Sequence, residues 1–380
     1  MYRNVIHHFQ LHKQRNRISV GIGIILLLSI YLTINLFEKY FNEQKLLLKT
    51  RRKISQCPPL LSSFKGYFRV DFTRNFSLNY SLICKSNDKL LIYILSTAKN
   101  FERRKIIRET WAKKNVYQQL NDICFIFIVG LSTNSSHNND IYNEGLLSND
   151  IIQLNIEESY KNVVYKEVGA LQWSFIYASN IPYLFKTDDD LIIDTLLLSD
   201  TVTFLINNQT DHSLYLQKQI SLQPFIQDMY HVDKYTLFKG HDMLTIPTLR
   251  RGKFRIHDLA WNSEYLPRYC SGFGFLYSSF IRDRLYRASL CYANEYVPLV
   301  GDVFLSGFLA GTASVRCSGW LLKNAQPESD CPIIFHNNPQ LLVCSTPLHR
   351  GKQIYSDFYS AWKIIVKRHS VYSNESSRDS

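Results

Sequence analysis

Tyr183-Leu184-Phe185-Lys186-Thr187-Asp188-Asp189-Asp190 is a short apolar run that leads straight into three consecutive aspartates, with Leu191-Ile192-Ile193 close behind. A buried strand ending in carboxylates sets like charges at the edge of an α/β sheet, where the ligands of such sheets bind. Carboxylates crowded in this way repel one another and shift each other's protonation unless a cation neutralises them. Hard oxygen ligands suit Mg²⁺ or Mn²⁺, ions that keep positions open for phosphate oxygens. The triplet therefore reads as a metal site that holds a diphosphate, against the plainer alternative of a solvated acidic turn.

Upstream of the triplet, β-rich runs alternate with helix-like stretches. Leu90 opens the run LLIYILSTA, and a charged helix is predicted from Phe101 to Lys114. The run ICFIFIVG ends in Gly130 and leads into an Asn-rich loop from Ser132 to Asp140, while Asp150-Ile151-Ile152-Gln153-Leu154 precedes a helix from Tyr160 to Ala178. This alternation predicts an α/β sheet. No internal repeat and no low-complexity tract interrupts it.

The 380 residues, 46% of them hydrophobic, can bury a sizeable core and suit one large domain once a membrane span is set aside. The net charge of +12 is spread along the chain rather than gathered in one cassette, which argues against nucleic acid as partner. Much of the excess lies in the first 53 residues: Arg3, Lys13, Arg15 and Arg17 precede the apolar stretch Ile18 to Phe37, and Lys39, Lys45, Lys49, Arg51, Arg52 and Lys53 follow it. That placement suggests a membrane surface as the anionic partner. The stretch carries no charge, is long enough to cross a hydrocarbon core and has no small-residue cleavage site after it, so it is predicted to be a signal anchor. Four Lys and Arg before it and six shortly after leave the orientation open.

Other features point to the lumen. The eight cysteines, Cys57, Cys84, Cys124, Cys270, Cys291, Cys317, Cys331 and Cys344, all follow the apolar stretch and form no C-x-x-C pair. N-glycosylation triplets start at Asn75, Asn79, Asn134, Asn208 and Asn374. An oxidising compartment with some disulfides is the economical expectation. The predicted organisation is a cytoplasmic tail over 1–17, a transmembrane signal anchor over 18–37, a stem over 38–85 and a luminal domain over 86–370.

Further blocks resemble the β-1,3-galactosyltransferase family, which includes the β-1,3-N-acetylglucosaminyltransferases and is distantly related to the Fringe proteins. Arg104-Lys105-Ile106-Ile107-Arg108-Glu109-Thr110-Trp111 resembles the family's R-x-x-I-R-x-T-W block, and Phe127-Ile128-Val129-Gly130 resembles its strand ending in Gly. Glu144, Asp150 and Glu158-Ser159-Tyr160-Lys161-Asn162 with Lys166 resemble E…D…DSYxNLTxK, with Glu158 where Asp is usual and Val164 where Thr is usual. Tyr269-Cys270-Ser271-Gly272-Phe273-Gly274-Phe275 resembles Y-x-x-G-x-G-Y, with Lys253 and Trp261 upstream in keeping. The blocks run in order over about residues 90 to 340.

The resemblance implies a GT-A type fold, a Rossmann-like α/β domain that binds a UDP-sugar with Mn²⁺ or Mg²⁺. It implies inverting transfer of galactose or an N-acetylhexosamine to an acceptor glycan, on glycoprotein or glycolipid, in β-1,3 linkage. Asp190 is then the direct metal contact, with Asp188 beside it, and Asp188 and Asp189 lie close to the nucleotide. His336, in Ile333-Ile334-Phe335-His336 and read here as following an apolar strand, is a further candidate for the metal shell. Inversion needs a general base for the acceptor hydroxyl. Asp302, in Gly301-Asp302-Val303-Phe304-Leu305-Ser306-Gly307, matches the second acidic position of the family's E/D-D-V-x-x-G motif, whereas Gly301 replaces the first. A helix N-cap is the plain alternative for Asp302.

Arg104 and Arg108 sit four apart on a predicted helix and share a face that can meet phosphate or uracil; with Lys166 they are candidates for holding the UDP-sugar. Trp111 and Tyr160 read as packing residues, and Gly272 and Gly274 as permitting close backbone approach. The class and the anchor lead to the expectation of a single-pass type II Golgi membrane protein. Gly301 motivates the competing expectation of a catalytically silent relative that binds glycans or escorts another transferase. A tethered adhesion protein would leave the triplet and Asp302 without a role.

Overall fold

The apolar runs Leu90–Leu95 (β1), Ile123–Leu131 (β2), Ile151–Glu157 (β3) and Tyr183–Asp188 (β4) are strands that pair in parallel. β1 is buried along its whole length, so its sequence reads as a continuous apolar run rather than an alternating one. Its register with β4 sets Leu95 opposite Asp188, which puts the acidic triplet at the carboxyl edge of the sheet. The computed structural model describes residues 83–114, 117–207, 233–290, 292, 297, 300–320, 323–325, 330–346 and 353–375. The expected tail, anchor and stem up to residue 82 lie outside these residues, and among those described no helix is long and apolar enough to cross a membrane.

Three helices connect the parallel strands: Phe101–Glu109 (α1), Ser135–Ser148 (α2) and Val163–Tyr177 (α3). After β4, Leu191–Ile193 (β5) leaves the sheet and Thr195–Asn207 (α4) follows. Phe238–Met243 (β6), Tyr269–Ser278 (β7) and Ser318–Gly319 (β8) then extend the main sheet to the order β3-β2-β1-β4-β7-β6-β8, with β7 antiparallel to both β4 and β6. Lys323–Ala325 (β9) and Leu341–Ser345 (β10) form a small sheet with β5 in the order β5-β10-β9. The remaining helices are Ser279–Leu290 (α5), Cys331–Asn337 (α7), Gln353–Glu375 (α8) and, between them, α6. α6 starts at Gly301–Val303, widens to π-helix over Phe304–Leu309 and closes with Ala310–Thr312.

The alternation of side chains along β1 divides the core. Leu90, Ile92 and Ile94 pack with Ile106 and Ile107 of α1, Leu198 and Val202 of α4, and Phe358, Ala361, Trp362 and Ile365 of α8. Leu91, Tyr93 and Leu95 face the other way, toward Val164, Val168 and Leu171 of α3, Ile281 and Leu285 of α5, and Phe304 and Leu305 of α6. The result is the expected α/β class, a mixed sheet between two helical layers consistent with a GT-A fold. Disulfides Cys84–Cys124, Cys270–Cys317 and Cys331–Cys344 tie β2, β7 and β10 to neighbouring segments; Cys57 and Cys291 lie outside the described residues.

Local structure departs from the sequence reading at four places. α1 stops at Glu109 rather than Lys114, because Thr110 leaves helical geometry and Trp111 turns into the core with no exposed surface. The Asn-rich stretch expected as a loop becomes α2: the Asn134 side chain accepts from Ser136 N at 3.0 Å, and Asn149 ends the helix in the left-handed region at φ 49°. Tyr160–Asn162 is a single 3-10 turn, and the α-helix begins only at Val163. The run Ile333 to His336 is helical, not a strand; Asp330 caps α7 by accepting from Ile333 N at 3.2 Å, and Pro332 stands in its first turn.

Candidate active site

Lys186 and Asp188 stand two apart on β4 and so share one face of the strand. The buried Lys186 ammonium lies 2.9 Å from Asp188 Oδ1 and 3.5 Å from Glu167 Oε1, and donates to Gly272 O at 3.4 Å. Burial alone lowers a lysine's hold on its proton; Asp188, Glu167 and Asp302 outweigh it and keep this one charged well above the usual range. Asp188 is the carboxylate of this group that opens to solvent, with 38% of its side chain exposed.

Asp302 reaches the same place from α6. The helix is capped by Val300, so Asp302 belongs to its first turn rather than to its N-cap. Its Oδ2 accepts from Gly272 N at 2.9 Å and its Oδ1 from Val303 N at 3.0 Å. Burial raises the Asp302 carboxyl above the usual range, with Lys186 pulling the other way. Ser306, within the π-helical segment, clamps α6 to β7: its Oγ accepts from Cys270 N at 2.9 Å and lies 2.7 Å from Asp302 O. A methyl group built on Gly272 would lie 3.5 Å from Asp188 Oδ2, 3.6 Å from Asp302 Oδ2 and 3.6 Å from Lys186 Nζ. Two carboxylates and an ammonium thus converge on one bare stretch of backbone. Gly274 serves the sheet itself: at φ 135°, a Cβ there would come within 2.6 Å of Phe185 Cζ, so the close approach of β7 to β4 requires glycine.

The other two aspartates of the triplet have different surroundings. Asp189 turns inward and is saturated, accepting from Ser96 Oγ at 2.7 Å, Asn100 Nδ2 at 2.8 Å and Arg103 Nη1 at 3.1 Å. It fastens the β1–α1 connection. Asp190 receives Thr346 N and Thr346 Oγ1 on its backbone oxygen, at 3.2 and 2.8 Å, but no side chain among the described residues bonds its carboxylate. Burial, then Asp188 and Asp189, push that carboxyl up to about 6. Asp188 and Asp190 fit a divalent cation: both are hard oxygen donors, Asp190 lacks a counter-charge in contact, and Asp188 Oδ2 is left open by Lys186.

Arg104, Arg108 and Lys166 are spent inside the protein rather than presented as a basic face. Arg104 is fully buried and donates to Glu144 at 2.9 and 2.6 Å, to Thr97 O at 2.5 Å and to Ser96 Oγ at 3.0 Å. Arg108 bonds Glu144 at 2.7 Å and Asp150 in bidentate fashion, both contacts at 2.8 Å. Lys166 donates to Ser96 O at 2.5 Å and to Glu158 at 2.9 Å. Since Ser96 Oγ in turn donates to Asp189, Arg104 and Lys166 hold the loop that carries Asp189's partners. His336 is exposed on α7. Trp111 is core, as expected, but Tyr160 is 39% exposed and stacks edge-on against Phe254, with Lys253 over its ring at 4.5 Å. Burial, then Asp302 and Asp188, push its hydroxyl up to about 12.

Glu167, Lys186 and the Gly272 amide went unremarked in the sequence. Lys186 had a signal in its spacing of two from Asp188 on a strand; Glu167, set among apolar residues of α3, had none. A separate cleft lined by Lys89, Gln118, Asp122, Ser199 and Thr203 lies at the opposite, amino-terminal edge of β1 and β2, away from every group named above.

Fold and site together define an α/β protein whose ligand groups gather at the carboxyl edge of a largely parallel sheet. The chain belongs to the Galactosyltransferase family, whose model matches residues 102–318, a span that takes in the triplet, Glu167, Gly272 and Asp302. It is 26% identical over 216 residues to beta-1,3-galactosyltransferase 1 of Homo sapiens, covering 57% of this chain and 59% of that protein. It is similar to UDP-GlcNAc:betaGal beta-1,3-N-acetylglucosaminyltransferase 7 of Rattus norvegicus, 25% identical over 250 residues, 64% of this chain and 56% of that one. With N-acetyllactosaminide beta-1,3-N-acetylglucosaminyltransferase 3 of Homo sapiens it shares 27% identity over 243 residues, 60% of this chain and 57% of that one. The chain therefore spans less than two thirds of each relative's length.

Proposed function

We propose that this protein is a metal-dependent inverting glycosyltransferase that moves a hexose, galactose or an N-acetylhexosamine, from a UDP-sugar to an acceptor glycan in β-1,3 linkage. The observation that carries the reading is the convergence of Asp188 Oδ2, Asp302 Oδ2 and Lys186 Nζ at Gly272. In this reading Asp302 is the general base: the Gly272 and Val303 amides fix its carboxylate, and burial makes it a stronger proton acceptor than a solvated aspartate. Lys186 keeps Asp188 and Asp302 from repelling each other out of position. Asp190 and Asp188 would hold Mn²⁺ or Mg²⁺, whose contribution is to neutralise the diphosphate of the departing UDP. Arg104, Lys166 and Asp189 serve the donor through the loop they hold, Arg108 braces Glu144, the partner of Arg104, and His336 enters the metal shell only by way of the family resemblance. The three disulfides among the described residues support an oxidising compartment, hence a Golgi lumen with residues 18–37 as the anchor.

The test is acceptor-dependent UDP release by the full-length protein with Mn²⁺, across a panel of UDP-sugars and acceptor glycosides. Asp302→Asn is expected to lower transfer on the order of 10²- to 10⁴-fold, and Asp190→Ala to abolish it. Binding of UDP with no transfer on any acceptor would overturn the reading in favour of the silent relative that Gly301 motivates.

A further inference from the structure

We propose that Glu167 supplies the second carboxylate of this site, filling the place that the acidic-pair motif leaves empty at Gly301 and holding Lys186 beside Asp302 as a positioning residue. The inference rests on the transferase reading given above. A Cβ built on Gly301 would lie 2.9 Å from Val163 Cγ1, 3.5 Å from Glu167 Cγ and 3.6 Å from Glu167 Oε1. The volume into which an acidic side chain at 301 would grow is therefore already occupied by α3, and the group that occupies it is itself a carboxylate. A side chain at 301 and the present packing of Val163 and Glu167 exclude one another.

Glu167 also has the surroundings of a residue kept for its charge. It has no exposed surface, Oε1 closes no hydrogen bond within the described residues, and the cation beside it is Lys186 at 3.5 Å. Among the described residues Oε2 receives only a long bond from Tyr93 OH, at 3.4 Å, and Tyr93 in turn accepts from Tyr277 OH at 3.0 Å. An ionisable group with open bonding capacity is costly inside a core. Leu171 and Val168, its neighbours on α3, show that apolar packing is available there. What Glu167 does provide is a second pole for Lys186. Asp188, the more exposed carboxylate, draws the ammonium from the solvent side at 2.9 Å, and Glu167 draws it from the core side. Held between them, Lys186 stays over Gly272, next to Asp302 Oδ2.

Steady-state kinetics on the full-length protein decide the matter. Glu167→Gln is expected to lower kcat on the order of 10- to 100-fold with the donor KM little changed, the signature of misplaced reacting groups. Glu167→Asp is expected to recover part of that loss. Moving the carboxylate back to the helix start, in Val163→Ala/Glu167→Ala/Gly301→Glu, should restore activity over Val163→Ala/Glu167→Ala alone. If Glu167→Gln keeps the wild-type kcat while Asp302→Asn is inactive, this inference fails and the transferase reading stands. A loss of kcat that vanishes once rates are counted per UDP-binding site likewise overturns it, since Glu167 would then serve folding only. Wild-type protein that transfers no sugar from any donor overturns both.

Discussion

Burial raises the Glu167 carboxyl from 4.5 to about 7, with Lys186 pulling the other way. Between those values the folded protein keeps a proton that the unfolded chain has released, so this group favours folding most below about 4.5 and loses that contribution as pH rises to about 7. The loss amounts to roughly 3 kcal/mol. Glu167→Gln removes the slope, so its Tm relative to wild type should climb between about pH 5 and about pH 8 in thermal melts; a difference that does not change with pH would count against this assignment. The triplet could be singled out from the sequence because carboxylates that follow an apolar run carry their own signal, and Asp302 only through its resemblance to the family's acidic motif. Their division of labour could not. Asp189 turns inward because Ser96, Asn100 and Arg103 wait for it across a long stretch of chain, and no local pattern encodes that. The pairing of the basic residues is as non-local: Arg104 and Arg108 share a helix face, and Glu144 and Asp150 claim it.

Among the elements, α8 shows how a segment beyond the family match is secured. Asp194, fully buried just before α4, accepts from Leu197 N at 2.8 Å, pairs with Arg368 and lies 3.0 Å from His369 Nε2. Burial favours the neutral acid, but His369 and then Arg368 outweigh it and hold Asp194 below its usual 3.8. Burial also works against charge on His369, and Asp194 outweighs it there, raising the imidazole above 6.5. The histidine's contribution is full below 6.5 and is lost as pH rises through its elevated folded value. The aspartate's is full above 3.8 and is lost as pH falls through its depressed one. Docking of α8 should therefore be firmest between those limits, with hydrogen exchange in α8 accelerating on either side; His369→Gln should abolish the alkaline acceleration and, because His369 is the larger influence holding Asp194 down, move the acid one to higher pH. Asp194→Asn is expected to cost about 3–5 kcal/mol in urea denaturation, because it strands Arg368 and His369. α2 and α7 escaped the sequence reading because both depend on caps: Asn134 and Asp330 turn polar or mixed runs into helices that composition alone assigns to a loop and a strand.

At the scale of the whole molecule, the parallel half of the sheet was legible because β1 and β2 are buried along nearly their whole length as unbroken apolar runs, while β3 and β4 open on apolar residues before turning polar. The second half of the chain, from β5 onward, was not, since β5, β8 and β9 are two or three residues long, and β5 and β8 pair with segments far off in sequence. Cys270–Cys317 closes that second half across a separation of 47 residues. Chain entropy sets its worth at about 4 kcal/mol, so Cys270→Ser/Cys317→Ser should lower unfolding stability by about 2–4 kcal/mol in urea denaturation, and an unchanged midpoint would show that packing and the Ser306 hydrogen bonds hold this region without the disulfide. β4 and β7, which carry Asp188 and Gly272, are interior neighbours in the strand order, flanked by β1 on one side and β6 on the other. Neither has a free edge from which to fray, and local opening starts where backbone pairs are exposed. The floor of the site is thus rooted in strands that open only when their neighbours do, and whatever motion the proposed transfer demands falls to the loops around it.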